Sequence, residues 1–439
     1  MKIAIIGTGI SGLAAAHRLQ DRAELTLFEA GSQPGGHVHT VIAESERGLH
    51  SIDTGFIVFN ERNYPGFTRL LEELEVPSQP SKMSFGISDG KDFEYSTEGP
   101  NGLFARRANL VDPRFLSMLR QIFRFHRELG EMVDAGVDGP SLAQFLEDGN
   151  YSRYFIERLI VPQVTAVWSA GPEQMWDFPI GFLARFFDNH GMLSLRNRPH
   201  WRTVTGGSWQ YVDALLQPLA GRVRTNSPVE KVERFEGHVQ VTAHGGDPEV
   251  FDEVIIATHS DQALSMLADP TEAEREVLGA IAYQPNEAVL HTDESLMPRR
   301  RGAWASWNVH LLDEPTGLTS LTYDMNRLQS LDCERQFCVT LNMTDRIDPD
   351  KVIEKIDYAH PVFTPETLIA QDRWQEISGV GRTHYCGAYW RNGFHEDGAF
   401  SGMRVASQIS GEPMLAAVEP VPEAPRDAQS SDPEQELAA

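Results

Sequence analysis

The chain reads as an α/β protein in which an α+β substrate domain is inserted into a Rossmann-like dinucleotide-binding domain. Three observations predict this. An apolar strand, Lys2 to Ile6, runs directly into Gly7-Thr8-Gly9-Ile10-Ser11-Gly12 and an alanine-rich helix start at Leu13 to Leu19. A second strand, Glu24 to Phe28, ends at Glu29, seventeen residues after Gly12. After a mainly helical stretch, strands and glycine-bounded turns of the same character resume beyond residue 200.

The order strand, glycines, helix, acid is what makes the motif specific. Gly7 permits the tight turn, Gly9 lets backbone approach a pyrophosphate, and Gly12 lets helix and strand pack closely. The free N–H groups and the positive helix end, with Ile10 and Ser11 in its first turn, then face the phosphates. Glu29, followed by Ala30, is placed to accept hydrogen bonds from ribose hydroxyls, and its charge disfavours a 2′-phosphate.

Beyond Glu29, Gly31-Ser32-Gln33-Pro34-Gly35-Gly36-His37 and Asp53-Thr54-Gly55-Phe56 read as loops that bring backbone close to a ligand. Arg69 to Leu74 is a short amphipathic helix, and Phe85 to Tyr95 a strand and turn. Asn101 to His200 is mainly helical, with Phe115, Leu119, Ile122 and Phe123 on one apolar face. A helix over Tyr211 to Leu219 follows Gly206-Gly207-Ser208. Strands are expected around Val229 to Phe235, His238 to Ala243, Val254 to Thr258, Ala288 to Thr292 and Phe337 to Asn342. Cys386-Gly387-Ala388 precedes a second glycine-bounded helix start, Asn392 to Ala399, with the helix proper from about Phe400 to Ser410. The expected division is 1–84, 201–275 and 375–411 for the dinucleotide domain, 85–200 and 276–374 for the substrate domain, and 412–439 for a disordered acidic tail.

The 439 residues carry a formal net charge of −25, which argues against general nucleic-acid affinity. Cys333, Cys338 and Cys386 are too few and too irregular for a disulfide framework or a four-thiolate zinc site, and no metal is expected. Met1 to Ile6 is too short for a secretory signal, and no apolar run approaches the roughly 20 residues that cross a bilayer. The expectation is a cytoplasmic protein, or one peripheral on the inner membrane face.

No second strand-GxGxxG-helix unit occurs. The residues of the first unit suit FAD or NAD, but the distant glycine segment at Gly387 to Gly398 has a natural task only beside an isoalloxazine. Here the chain resembles the flavin-containing amine oxidase and phytoene desaturase superfamily. The resemblance runs to about residue 411. It rests on Gly7-x-Gly9-x-x-Gly12 with Glu29, Gly35-Gly36, Asp53-Thr54-Gly55, Val229-Glu230-Lys231-Val232, the strand end Ala257-Thr258 and the segment Gly387 to Gly398. The resemblance implies FAD as cofactor, held by Gly7, Gly9, Ile10, Ser11, Gly12, Glu29, Ala30, Gly36, His37, Thr54, Gly55, Phe56, Val229, Thr258, Gly387, Gly398 and Ala399. It implies that Val229 meets adenine through backbone atoms and that the helix starting near Gly398 faces the flavin's pyrimidine edge.

Asp53 to Asn60, Trp201 to Ser208 and Leu290 to Asp293 further resemble a bacterial subgroup of predicted FAD-binding oxidoreductases. These are linked with cyclopropane-type fatty acyl methyltransferases and modified membrane lipids. That resemblance implies dehydrogenation of a fatty acyl chain in a methylated phospholipid, with lipid-modifying enzymes as partners. Two departures count against amine oxidation: His37 stands where an arginine usually follows the glycine pair, and Tyr283 to Met297 lacks the lysine common beside the flavin. The other readings are an amine or soluble-metabolite oxidase, and a non-catalytic protein that presents flavin or lipid.

Removing two hydrogens from an alkyl chain sends one to the flavin as hydride and the other to a base. His395, His291, Tyr283 and Glu396 are the candidates by position. Trp168, Phe182, Phe186, Phe187, Trp201, Trp304, Trp307, Tyr389 and Trp390 are candidates to line an apolar tunnel. Asn101 to Arg127 carries Arg106, Arg107, Arg114, Arg120, Arg124 and Arg127 against the single acid Asp112, interleaved with apolar residues. Such a basic amphipathic segment suits an anionic lipid surface, and Arg299-Arg300-Arg301 extends it.

Overall fold

The computed structural model describes residues 1–168, 175–193, 199–313 and 317–414. The expected acidic tail lies outside the described residues from 415 onward, as does the side chain of Trp168.

A parallel five-stranded sheet carries the first half of the molecule. Its strands are β1 (Lys2–Ile6), β2 (Glu24–Phe28), β3 (Val223–Arg224), β4 (Glu253–Ile256) and β5 (Thr383–Tyr385), in the order β3-β2-β1-β4-β5. The central strands are continuous apolar runs because both faces are covered: Ile3 to Ile5 and Val254 to Ile256 are fully buried. Helix α1 (Ile10–Leu19) follows β1 at once. Its N-cap, Gly9, supplies no side chain, so the first N–H groups stay open to an outside partner. A three-stranded antiparallel meander, Val229–Arg234, Val239–Ala243 and Glu249–Phe251, leads into β4.

A second, seven-stranded sheet runs Val352–Val362, Ala282–His291, Cys338–Leu341, Leu321–Asp324, Trp307–His310, Phe85–Ser88, Glu94–Ser96. All its pairings are antiparallel except Trp307–His310 beside Phe85–Ser88, where two distant chain segments meet. The strand Val352–Val362 was not foreseen in the sequence: it interleaves half-buried and exposed residues and contains Pro361, and only its pairing along Ala282–His291 defines it. That partner begins at Ala282, six residues before the expected Ala288.

Three more helices matter for the site. Helix α2 (Pro65–Glu73) starts on a proline. Helix α3 (Pro113–Ala135) has Asp112 accepting from the Arg114 N–H at its start and Gly136, at φ 63°, ending it. Helix α4 (His395–Ser410) begins five residues before the expected Phe400, because the Asp397 carboxylate accepts the N–H groups of Phe394 (2.9 Å) and Asn392 (3.2 Å) and organises its first turn. It lies against α1 so closely that a Cβ at Gly402 would stand 2.0 Å from the Ser11 carbonyl oxygen. The three cysteines are free thiols, and no helix among the described residues is long and apolar enough to cross a membrane.

Candidate active site

One cavity of about 1300 Å³ runs from the C-terminal end of the parallel sheet to the seven-stranded sheet. It exceeds the roughly 300–1000 Å³ of an ordinary single-ligand pocket, so there is room for a dinucleotide and a second molecule. At the sheet end it is lined by Gly7 to Ser11, Glu29, Ala30, Gly36, His37, Val229 and Thr258. Thr54, Gly55, Phe56, Gly387 and His395 line it farther on.

The glycine turn has the shape its chemistry needs. Gly7 adopts φ 100°, and a Cβ there would meet the Ala257 carbonyl oxygen at 2.7 Å. A Cβ on Gly12 would stand 2.0 Å from the Gly7 oxygen, so this glycine serves helix–strand contact and does not reach the cavity. A Cβ on Gly9 would have no neighbour closer than Gly36 Cα at 4.0 Å. The space beside Gly9 is kept for a ligand and not for packing. Glu29 is held at the far side of the turn, accepting the N–H groups of Gly31 (2.8 Å) and Thr8 (3.2 Å) and the Thr8 hydroxyl.

Loop 31–37 folds over the turn, with the Gly35 N–H donating to the Thr8 carbonyl at 3.0 Å. The loop after Asp53 is fastened just as tightly: the Phe56 N–H donates to His37 O at 3.0 Å. Asp53 itself is buried, accepting the Ser208 N–H (2.9 Å), the Ser208 hydroxyl (2.7 Å) and the Thr40 hydroxyl (2.6 Å). Burial outweighs these donors and raises its carboxyl to about 6.

The four residues considered for proton transfer separate clearly. His395 lines the cavity, stacked on Phe56 at 3.7 Å between ring centroids, with its Nε2 2.6 Å from the Tyr211 hydroxyl. Burial lowers its imidazole to about 3. Tyr283 also lines the cavity, stacked on His259 at 4.2 Å and accepting the Ser260 N–H at 3.2 Å; burial raises its phenol. His291 does not line it. It is buried within the seven-stranded sheet, bonded to Thr340 Oγ1 (2.7 Å) and the Asp293 N–H (3.0 Å). Glu396 is also elsewhere: its carboxylate accepts the Gly66 (3.0 Å) and Phe67 (2.8 Å) N–H groups and so pins the start of α2 to α4. Both groups serve the fold, and Glu396 is beside the cavity residue His395 only in sequence.

Gly398 and Ala399 are displaced from their expected place in the same way. They sit in α4 beyond its first residues, where a Cβ on Gly398 would meet Ile10 Cγ2 at 2.7 Å, and Asn392 to His395 line the cavity instead. Of the aromatic residues expected in an apolar tunnel, Phe186, Trp201, Trp307 and Tyr389 line the cavity. Phe187 and Trp390 are core residues, Phe182 is half-buried off the cavity, and Trp304 donates its indole N–H to Pro298 O at 2.7 Å.

Another group has no signal in the sequence. Seven histidines line the cavity, His37, His126, His190, His200, His259, His360 and His395, of fifteen in the chain. Arg202 is its only lysine or arginine and Glu29 its only carboxylate among the described residues. Arg202 is committed to Ser78, through Nε to Oγ and Nη2 to the carbonyl, both 2.8 Å. Tyr358 and His360, on the strand Val352–Val362, enter by tertiary pairing alone.

A glycine turn at the end of a parallel strand, an acid at the end of the next strand, a cavity that both line and, among the described residues, no second nucleotide fold define a single-dinucleotide protein with a chamber for another molecule. The sequence model of the flavin containing amine oxidoreductase family matches residues 10–327, and the chain belongs to that family of FAD-dependent oxidoreductases. Its cofactor is FAD, and the open space beside Gly9 and the placement of Glu29 fit that group.

The chain is 25% identical over 279 residues to the flavin-dependent L-tryptophan oxidase RebO of Lentzea aerocolonigenes, covering 56% of this chain and 54% of the relative. It is 28% identical over 181 residues to protoporphyrinogen oxidase 2 of Arabidopsis thaliana, covering 40% and 34%. The chain thus spans about half or less of the length of these curated relatives. The fold is shared with the CLA-producing fatty acid isomerase from P. acnes, at a TM-score of 0.62 and 14% identity over 93% of this chain and 98% of that one.

Proposed function

We propose that the protein is a FAD-dependent dehydrogenase of an apolar chain, and that the chain is the fatty acyl group of a methylated membrane phospholipid. One observation carries the reading: beyond the glycine turn the cavity wall offers no carboxylate among the described residues. Glu29, the single acid, is occupied by Thr8 and Gly31 at the nucleotide end. An ammonium substrate entering a water-poor site would lack a counter-charge, at a cost of several kcal/mol. The walls there are instead Phe85, Val167, Phe186, Met192, Trp307, Leu341 and Phe394, surfaces that favour hydrocarbon. The P. acnes neighbour that shares this fold is named a fatty acid isomerase, which supports the reading.

Bound FAD supplies a hydride acceptor. The protein's share is to hold an alkyl C–H bond in place, exclude water and receive the second hydrogen as a proton. His395, at the start of α4, is the imidazole we assign to proton acceptance, because it lines the cavity and burial keeps its ring neutral.

Access from a membrane is part of the proposal. Arg107, Arg120 and Arg127 are exposed beside exposed Leu110, Val111 and Phe123. The loop Arg299 to Arg301 adjoins them, since Gly302 packs against Ala105. His126, on α3, lines the cavity. Arg124 and Arg106 are drawn inward, Arg124 bonding Gly149 O and covering the Tyr151 ring and Arg106 bonding Asn109, while Arg114 stays exposed with its guanidinium over Tyr154.

The test is anaerobic mixing of the yellow holoprotein with vesicles of methylated phospholipid or with amines. Bleaching of the flavin by the lipid and not by amines is expected. Bleaching by an amine alone would overturn the substrate reading, and bleaching by neither would favour a presenting role. Arg107, Arg120 and Arg127 changed together to Glu should reduce binding to anionic vesicles at least tenfold; unchanged sedimentation would remove the membrane from the proposal.

A further inference from the structure

Three imidazoles flank the glycine turn. His37 follows Gly36, whose added Cβ would stand 2.9 Å from Gly9 Cα. His259 follows Thr258, whose Cγ2 is 3.4 Å from the corresponding position on Gly7. Both side chains therefore leave the backbone beside the turn that receives the pyrophosphate. His360 joins them from the seven-stranded sheet. Ring centroids lie 5.5 Å apart for His37 and His360 and 6.1 Å for His37 and His259. All three line the cavity.

The FAD pyrophosphate carries two negative charges into this space. Among the described residues the lining holds no lysine, and its one arginine, Arg202, is engaged with Ser78. Backbone N–H groups and the α1 dipole supply only partial charge. We propose that His37, His259 and His360 form an imidazole cradle for the pyrophosphate, and that FAD binding is coupled to proton uptake by this cradle.

Burial, and for His37 and His360 then the neighbouring rings, keeps these imidazoles neutral. Burial, then His360 and His259, lowers His37 to about 3; burial, then His259, lowers His360 to about 4; burial lowers His259. An anion placed among them reverses the balance, because an opposite charge favours the protonated ring. The remaining groups that face the cradle do not supply a fixed cation. Asp261, in the helix after His259, favours its protonation. Tyr283 stacks on His259 and Tyr358 on His37. Asp53 and Glu354 act on Tyr358, and His395 is coupled to His37 from α4. Asn286 Nδ2 lies 3.0 Å from His360 Nδ1, and Ala359 O accepts from His37.

Binding that takes up a proton weakens as pH rises, by about tenfold in Kd per pH unit for one proton. The experiment is dilution of the holoprotein from about pH 6 to about pH 8.5, across the range where imidazoles titrate, with released FAD read by its fluorescence. The expected result is a Kd rising with pH, with a slope of log Kd near one or above over part of the range. His37→Arg should retain FAD at least as tightly at the alkaline end and flatten the slope, while His37→Asn should weaken retention throughout. A yellow wild-type protein with a flat profile overturns the cradle, and an unchanged slope in His37→Arg removes His37 from it. A colourless protein that FAD does not reconstitute overturns cofactor binding itself.

Discussion

Gly9 and Gly12 differ by one turn of helix, yet their substitutions should fail in different ways. Gly9 has backbone angles any residue adopts, φ −67° and ψ 177°, and open space where its Cβ would point. Gly9→Ala should therefore keep the stability of the apoprotein within about 0.5 kcal/mol and lose FAD. Gly12→Ala would drive a methyl into the Gly7 carbonyl and should destabilise the fold by about 3 kcal/mol or more. Thermal melts of the apoproteins, read beside their flavin content, check the pair; equal melting losses would mean that Gly9 is also a packing glycine. The motif's glycines were legible in sequence because each answers a local steric demand. His259, Tyr358 and His360 were not, because strand pairing and the end of β4 bring them to the site.

At the scale of elements, the carboxylates of α4 explain why the candidate site was only half readable. His395, Glu396 and Asp397 are consecutive, but a helix turns each about 100° from the last. One faces the cavity, one binds the start of α2 and one organises α4's own first turn. Proximity in sequence could not sort them. Glu396→Gln should lower stability by about 1–3 kcal/mol, since the Gln amide leaves one oxygen for two helix N–H donors, without shifting any pH optimum. A lost pH limb in the variant's rate profile would return Glu396 to the chemistry. The α1–α4 contact is equally exacting: Gly402→Val should cost about 3 kcal/mol and should release FAD, because α1 carries the phosphate turn.

For the whole molecule, buried histidines set the acid limit. His37, His190, His291, His310, His360 and His395 are all lowered to about 3 or 4 by burial. Unfolded imidazoles titrate near 6.5. Below that value the unfolded apoprotein binds more protons than the folded one, so this contribution to stability is lost as pH falls from about 6.5 towards 4. Asp53 and Asp397, raised to about 6, and Glu396, raised to about 7, act in the opposite sense and lose stability as pH rises from about 4 to about 7. The six imidazoles outnumber the three carboxyls, so the apoprotein should melt at lower temperature at pH 5 than at pH 7. A higher melting temperature at pH 5 would reverse the balance argued here.

The parallel sheet also orders events during synthesis. β1 and β2 are made well before β4, which pairs with β1 and ends at Ile256, and before the outer strand β5, which ends at Tyr385. α4, which supports α1, follows still later. A nascent chain therefore carries its nucleotide turn without the paired strand β4 until residue 256 has been made. Cofactor loading is consequently a late event, and a ribosome-bound chain halted before residue 383 should carry no flavin. Chains of such long-range pairing fold slowly and are vulnerable to aggregation while they wait, so FAD added during refolding should raise the soluble yield by stabilising the folded state alone.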